Sequence, residues 1–176
     1  DVVAGAAITQ RPELAEKIAF HQNAAGAVLG PDDSWLLLRG LKTLPLRLAR
    51  QEANARTLAE WLAGHLRVRC VHYPGLPSHP GHQLMGQQAS GYGAMLALEV
   101  DDAARVPGIL AGVRTFMFAE SLGGVQSLIT YPMVQTHADI DPPIRARLGI
   151  NDRLLRLSIG IENEADLQND LAEVLS

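Results

Sequence analysis

Between Asp33 and Leu62 apolar residues return every three or four positions, at Leu37, Leu41, Leu44, Leu48, Leu58 and Leu62. This is the period of a helix with one apolar stripe. Pro45 falls inside the run and lacks an amide hydrogen, so it predicts a kink or a restart there. Gly64 predicts the end. Beyond it the pattern shortens. Val68 to Tyr73 reads as a strand stopped by Pro74-Gly75, and Leu76 to His82 as a proline-rich loop leading into a short helix through Gln88. Tyr92, Ala94, Leu96, Leu98 and Val100 alternate with other residues, the mark of a half-buried strand. Asp101 and Asp102 start a helix to about Gly112. Arg114 to Phe118, Ser127 to Tyr131 and Leu154 to Ile159 are further strands. Asn163 caps a last helix carrying Leu167, Leu171 and Leu175. Ahead of all this, Asp1 to Ile8 reads as a buried strand, Arg11-Pro12-Glu13 opens a helix through about Phe20 or beyond, and Gly26 to Pro31 is a loop. From residue 33 on, the order of elements predicts an α+β layer with a mostly antiparallel sheet.

Composition changes this picture little. With 176 residues, 47% hydrophobic and 19% charged, the chain is long enough for a core of its own and too apolar for disorder. A net charge of −4 weighs against nucleic acid and anionic membrane as partners. Cys70 is the single cysteine, which rules out an internal disulfide and fits a cytoplasmic location. No apolar run approaches the roughly 20 residues of a membrane span. An opening on a core strand, without an initiator methionine, predicts that the chain is part of a longer protein.

Three segments could carry chemistry. In Ala119-Glu120-Ser121-Leu122-Gly123-Gly124 a carboxylate and a hydroxyl precede two glycines between strands. Glycines there suit either a tight turn or a close approach of backbone to ligand. Arg156 lies within the apolar strand Leu154 to Ile159, where a charge needs a carboxylate. Glu162 or Asp152 could supply it structurally, and a bound ligand could supply it functionally, because the planar guanidinium meets a carboxylate with two donors. The histidines His72, His79, His82 and His137 lack the cysteine or carboxylate that would complete a metal site, so no metal is expected. No phosphate loop of the P-loop or dinucleotide type occurs.

Several longer runs carry a resemblance. They are Ser34 to Leu44, Tyr73-Pro74-Gly75-Leu76-Pro77-Ser78-His79-Pro80, Gly91-Tyr92-Gly93-Ala94-Met95, Glu120 to Ile129, Thr136-His137-Ala138, and Leu155 to Glu162. In this order they resemble the transsulfuration (Cys/Met metabolism) pyridoxal-phosphate enzymes of fold type I, over essentially the whole chain, and most of all their γ-synthase and thiol-lyase branch.

The resemblance implies a mixed α/β architecture in which residues 1–32 are the tail end of the cofactor-binding large domain. Residues 33–176 would be the C-terminal substrate-binding domain with its long linking helix. It implies pyridoxal 5'-phosphate as cofactor of the intact enzyme. The family's cofactor lysine lies in a Ser-x-Thr-Lys-Tyr segment just ahead of the Asp-Val-Val-Ala-Gly strand, which here starts at residue 1. Lys17 and Lys42 are the only lysines and neither sits in such a motif, so this chain is expected to anchor no cofactor and to be inactive alone. Carried over residue by residue, Arg156 would hold the substrate α-carboxylate and Ser121 would orient that end. Glu120 would face the substrate's amino group or distal chain, and Thr136 would belong to the same pocket. A carboxylate at position 120, where β-lyases tend to have an aromatic residue, implies γ-chemistry. The expected reaction is replacement of the γ-substituent of an O-acylhomoserine by cysteine or sulfide, in a homotetramer. A γ-lyase, or a non-catalytic oligomerisation or binding module, is the alternative.

Overall fold

Four residues at helical spacing, Ala55, Leu58, Ala59 and Leu62, are fully buried on one helix, and the rest of the molecule's core is arranged against them. In the computed structural model, which describes residues 2–176, this helix is α3 (Leu44–Ala63). It follows α1 (Pro12–Ala25) and α2 (Pro31–Leu41). Pro45 restarts the helix rather than bending it: the break falls at Lys42 and Thr43, and Pro45 occupies the first turn of α3, where its missing donor costs nothing.

The chain divides into two compact units, one ending at Pro45 and one running from Leu46 to Ser176. No described residue of the first is buried. The strand expected over Asp1 to Ile8 is corrected by the structure. Val2 to Ile8 is irregular, Val3 and Ile8 are almost wholly exposed, and Asp1 lies outside the described residues. A strand needs a neighbour for its backbone groups, and none of the described strands pairs with this segment.

The second unit holds a sheet in the order β1-β2-β5-β4-β3. Its strands are β1 (Val68–His72), β2 (Met95–Val100), β3 (Met117–Phe118), β4 (Leu128–Thr130) and β5 (Leu154–Ser158). The pairs β1–β2, β2–β5 and β4–β5 are antiparallel and only β3–β4 is parallel. The mixed α/β fold with a mostly antiparallel sheet is therefore as read from the sequence. Leu96, Leu98 and Val100 of β2 and Leu155 and Leu157 of β5 point to one face by strand alternation. There they join α3, Val106 and Ile109 of α5 (Val106–Gly112), and Leu167 and Leu171 of α7 (Glu164–Val174) in a single cluster. Two short helices, α4 (His82–Gln88) and α6 (Pro142–Arg147), lie in the connections.

Strand ends depart from the alternation for a repeated reason: a side chain takes the backbone donor that would have extended the ladder. Asp170 of α7, 7% exposed, accepts from the amides of Arg114 (2.8 Å), Thr115 (2.9 Å) and Phe116 (2.9 Å), so β3 begins only at Met117. Gln135 accepts from Tyr131 N (2.7 Å) and ends β4 at Thr130. Glu52 accepts from Gly93 N (3.4 Å), and Gly93 has φ +72°, so β2 starts at Met95 and not at Tyr92. Asp102 caps the 3-10 turn that leads into α5, and Asn163 caps α7, as expected. Helix α6 had no periodic signal; Asp141-Pro142 is its only sequence mark.

Tyr73 closes the bottom of the core. It is fully buried, and its hydroxyl donates to Gly93 O (2.9 Å). Burial, with the Glu52 carboxylate second, pushes its pKa up to about 12. Any Cβ on Gly75 would strike the Tyr73 ring, which explains the glycine after Pro74.

Candidate functional site

The site grows from the polar face of β5. Leu155 and Leu157 face the core, so Arg156 and Ser158 must face the other way. Both reach the same loop. Ser158 Oγ accepts from Gly123 N (2.9 Å), and Arg156 Nη2 donates to Ser121 O (3.3 Å). In the ladder Arg156 stands opposite Thr130 of β4, and Nη2 also donates to Thr130 Oγ1 (3.2 Å). The Thr130 hydroxyl donates in turn to Ala119 O (3.0 Å).

The loop is gripped from its far end as well. Glu162 accepts from Ser127 N (2.6 Å) and from Ser127 Oγ (2.9 Å), while Gly160 N donates to Ser127 Oγ (2.8 Å). From α3, Gln51 Nε2 donates to Gly124 O (2.7 Å) and Ile159 O (3.0 Å). Asn54 Nδ2 donates to Gly160 O (3.1 Å) and Glu162 O (3.0 Å). Gln51 and Asn54 are buried in the middle of an apolar helix face, and these loop carbonyls account for their polarity. Gly160 permits the approach. A Cβ there would meet Val125 O, the Gln126 carbonyl carbon and the Glu162 carboxylate too closely. Gly160→Ala is expected to lower stability by about 1–3 kcal/mol, because two of those atoms are main chain and cannot swing away. Gly108→Ala in α5, where a Cβ would meet nothing, is expected to cost none. Urea unfolding of the two variants checks the contrast.

Held in this way, Ser121 adopts φ 151°, a region other residues leave to glycine. Such a conformation costs about 1–3 kcal/mol and persists only where the surroundings enforce it. Here they are the Arg156 guanidinium on its carbonyl and the anchored Gly123 two residues later.

The structure thus brings Ser121 and Arg156 into contact, with Glu120 as the next residue along the loop. The Glu120 side chain is exposed and has no hydrogen bond or ion pair among the described residues. Thr136 is exposed, and its hydroxyl lies 2.6 Å from His137 Nδ1, with no hydrogen bond to the other three. Arg156 has no carboxylate partner among the described residues. Glu162, one structural candidate, is occupied by Ser127; Asp152, the other, contributes its carbonyl to Tyr131. Arg156 Nε is buried without an acceptor. With Nη2 tied to neutral acceptors and Nε sealed from solvent, Nη1 is the donor left to receive an anion.

Thr130 escaped the sequence reading. It lay in a recognised strand, but only the β4–β5 register places it beside Arg156. The histidines serve locally. His79 Nδ1 accepts from Gly81 N (3.0 Å), His82 lies 2.7 Å from Pro74 O and stacks on Tyr92, and His72 pairs with Glu99. No group of three metal-binding side chains occurs among the described residues, and no described helix is long and apolar enough to cross a membrane.

Comparison with known proteins bears on this geometry. The family model described as "Cys/Met metabolism PLP-dependent enzyme" matches residues 1–176. Cystathionine beta-lyase of Lactococcus lactis subsp. cremoris (strain MG1363) is 49% identical over 175 residues, which are 99% of this chain and 46% of that protein. Cystathionine gamma-lyase of Bacillus subtilis (strain 168) is 46% identical over 175 residues, again 99% of this chain and 46% of the relative. Among solved structures, cystathionine gamma synthase from Xanthomonas oryzae pv. oryzae in complex with cystathionine superposes with a TM-score of 0.90 at 46% identity, over 96% of this chain and 44% of that one. The chain spans just under half the length of the relatives it matches.

Proposed function

Because the chain belongs to the Cys/Met metabolism PLP-dependent enzyme family, we propose that it provides the substrate-binding part of an enzyme that replaces the γ-substituent of an O-acylhomoserine with cysteine or sulfide. The observation that carries this reading is the unpaired side of Arg156, a charge placed in a sheet and left without a carboxylate. In the proposal the α-carboxylate of an amino acid fills that place. Ser121 shapes the rim through its enforced backbone, and the unpartnered Glu120 carboxylate faces the amino group or distal chain. Thr136 is proposed for the same pocket, where its hydroxyl, 2.6 Å from His137 Nδ1, keeps capacity for a second hydrogen bond.

Pyridoxal phosphate, the cofactor of the family, supplies an electron sink for cleavage of bonds next to the substrate's α-carbon. The residues here fit the substrate and not the attachment of that group. Lys17 and Lys42 are both exposed, on or beside helices with no buried residue. The role assigned to this chain is therefore to bind and orient the amino acid, and by itself to leave it unchanged. The intact enzyme is proposed to be a cytoplasmic homo-oligomer.

Relatives named β-lyase, γ-lyase and γ-synthase match with similar identity, so overall likeness does not choose among them. Glu120 supports γ-chemistry. The complete gene product, loaded with cofactor, is expected to form cystathionine and release the acyl group as its acid when given an O-acylhomoserine and cysteine. Conversion of cystathionine to cysteine, 2-oxobutanoate and ammonia as the dominant activity would make it a γ-lyase. Conversion to homocysteine, pyruvate and ammonia would overturn the γ-reading altogether.

A further inference from the structure

To receive a carboxylate, Arg156 needs its charge and a fixed direction. The charge is intrinsic, but the direction has to come from neighbours, because a guanidinium on a three-carbon stem has many rotamers. Nη2 has two hydrogens and two acceptors, Ser121 O and Thr130 Oγ1. Since arginine only donates, Thr130 must offer a lone pair, which leaves its one hydroxyl hydrogen for Ala119 O at 3.0 Å. Thr130 is 1% exposed and sits opposite Arg156 in the ladder, so its hydroxyl is shielded from bulk solvent. The same hydroxyl therefore ties the guanidinium to the residue that opens the Glu120-Ser121 loop. Nη1 is left without a protein acceptor among the described residues.

We propose that Thr130 is a positioning residue: its buried hydroxyl locks Arg156 Nη2 to the start of the Glu120-Ser121 loop, and so leaves Nη1 directed at the substrate α-carboxylate. This rests on the reading of Arg156 as the carboxylate-binding group. Thr130→Val keeps the branched shape and removes both hydrogen bonds. A hydrogen bond to a charged group is worth enough to predict a KM about tenfold higher, with kcat changed less than about threefold. Thr130→Ser keeps the hydroxyl and is expected to return KM to near the parent value, which a purely steric role would not do. Thr130→Ala, which adds no bulk beside Arg156, takes the place of Thr130→Val if that variant does not fold, with the same expected rise.

The test is steady-state kinetics of the cofactor-loaded complete gene product carrying Thr130→Val, Thr130→Ser and, in parallel, Arg156→Ala. A raised KM in Thr130→Val and Arg156→Ala, with rescue by serine, supports the proposal. An unchanged KM in Thr130→Val beside a raised one in Arg156→Ala overturns the role of Thr130 and leaves that of Arg156 standing. An unchanged KM in Arg156→Ala overturns both.

Discussion

Asp170→Ala is expected to destabilise the protein by about 3–5 kcal/mol, the largest effect of any single polar substitution proposed here. Its carboxylate gathers three consecutive amides, those of Arg114, Thr115 and Phe116, at 2.8, 2.9 and 2.9 Å. Leaving a buried donor unpaired costs about 1–3 kcal/mol, and bonds to a charged acceptor stand at the upper end. At least the Phe116 amide is buried with its fully packed side chain, so water cannot replace the acceptor there. Asp170→Asn retains one acceptor oxygen and is expected to lose roughly half as much. Chemical unfolding of both variants, read by circular dichroism, checks the order. Equal stabilities for alanine, asparagine and the parent would mean that β3 is held by its ladder alone, which its two residues make untenable.

Arg156→Ala is the second. In the complete gene product it should lower kcat/KM by roughly 10- to 150-fold, the equivalent of about 1.5–3 kcal/mol, mainly through KM. Lysine at the same position is expected to restore little. A single ammonium cannot hold Ser121 O and Thr130 Oγ1 while also presenting a second donor to a ligand. Folding should survive, because the apolar residues of β5 that enter the core, Leu155 and Leu157, point to the opposite face. Melting curves of the variant separate a binding loss from a structural one.

The sequence disclosed much of the scaffold because the scaffold rests on periodicity. Leu58 and Leu62 at helical spacing, and Leu96, Leu98 and Val100 at alternate positions, are core in the structure as their pattern required. Strand ends were less legible. They depend on which distant side chain claims an amide, as Asp170, Gln135 and Glu52 do, and no local window contains that information. Val2 to Ile8 failed as a strand because apolar composition marks a segment that can pair but provides no partner. In the site, Arg156 was visible as a charge in an apolar run and Ser121 as a polar residue ahead of glycines. Their contact, at 35 residues' separation, was not. Thr130 had no mark at all, since a threonine in a strand is ordinary until the register puts it beside an arginine. Thr136 was drawn in through family likeness alone, and the hydroxyl's engagement with His137 is a feature of the loop's three-dimensional path.

The central claim is that Arg156 reads a carboxylate, and one measurement addresses it directly. An amino-acid inhibitor and its carboxamide would be compared as competitive inhibitors of the complete gene product, in the parent and in Arg156→Ala. The carboxamide differs only where Arg156 is proposed to bind. The account predicts that the parent prefers the carboxylate by at least about tenfold and that the variant loses that preference. Equal preference in both proteins would show that the carboxylate is recognised elsewhere, and would contradict the account.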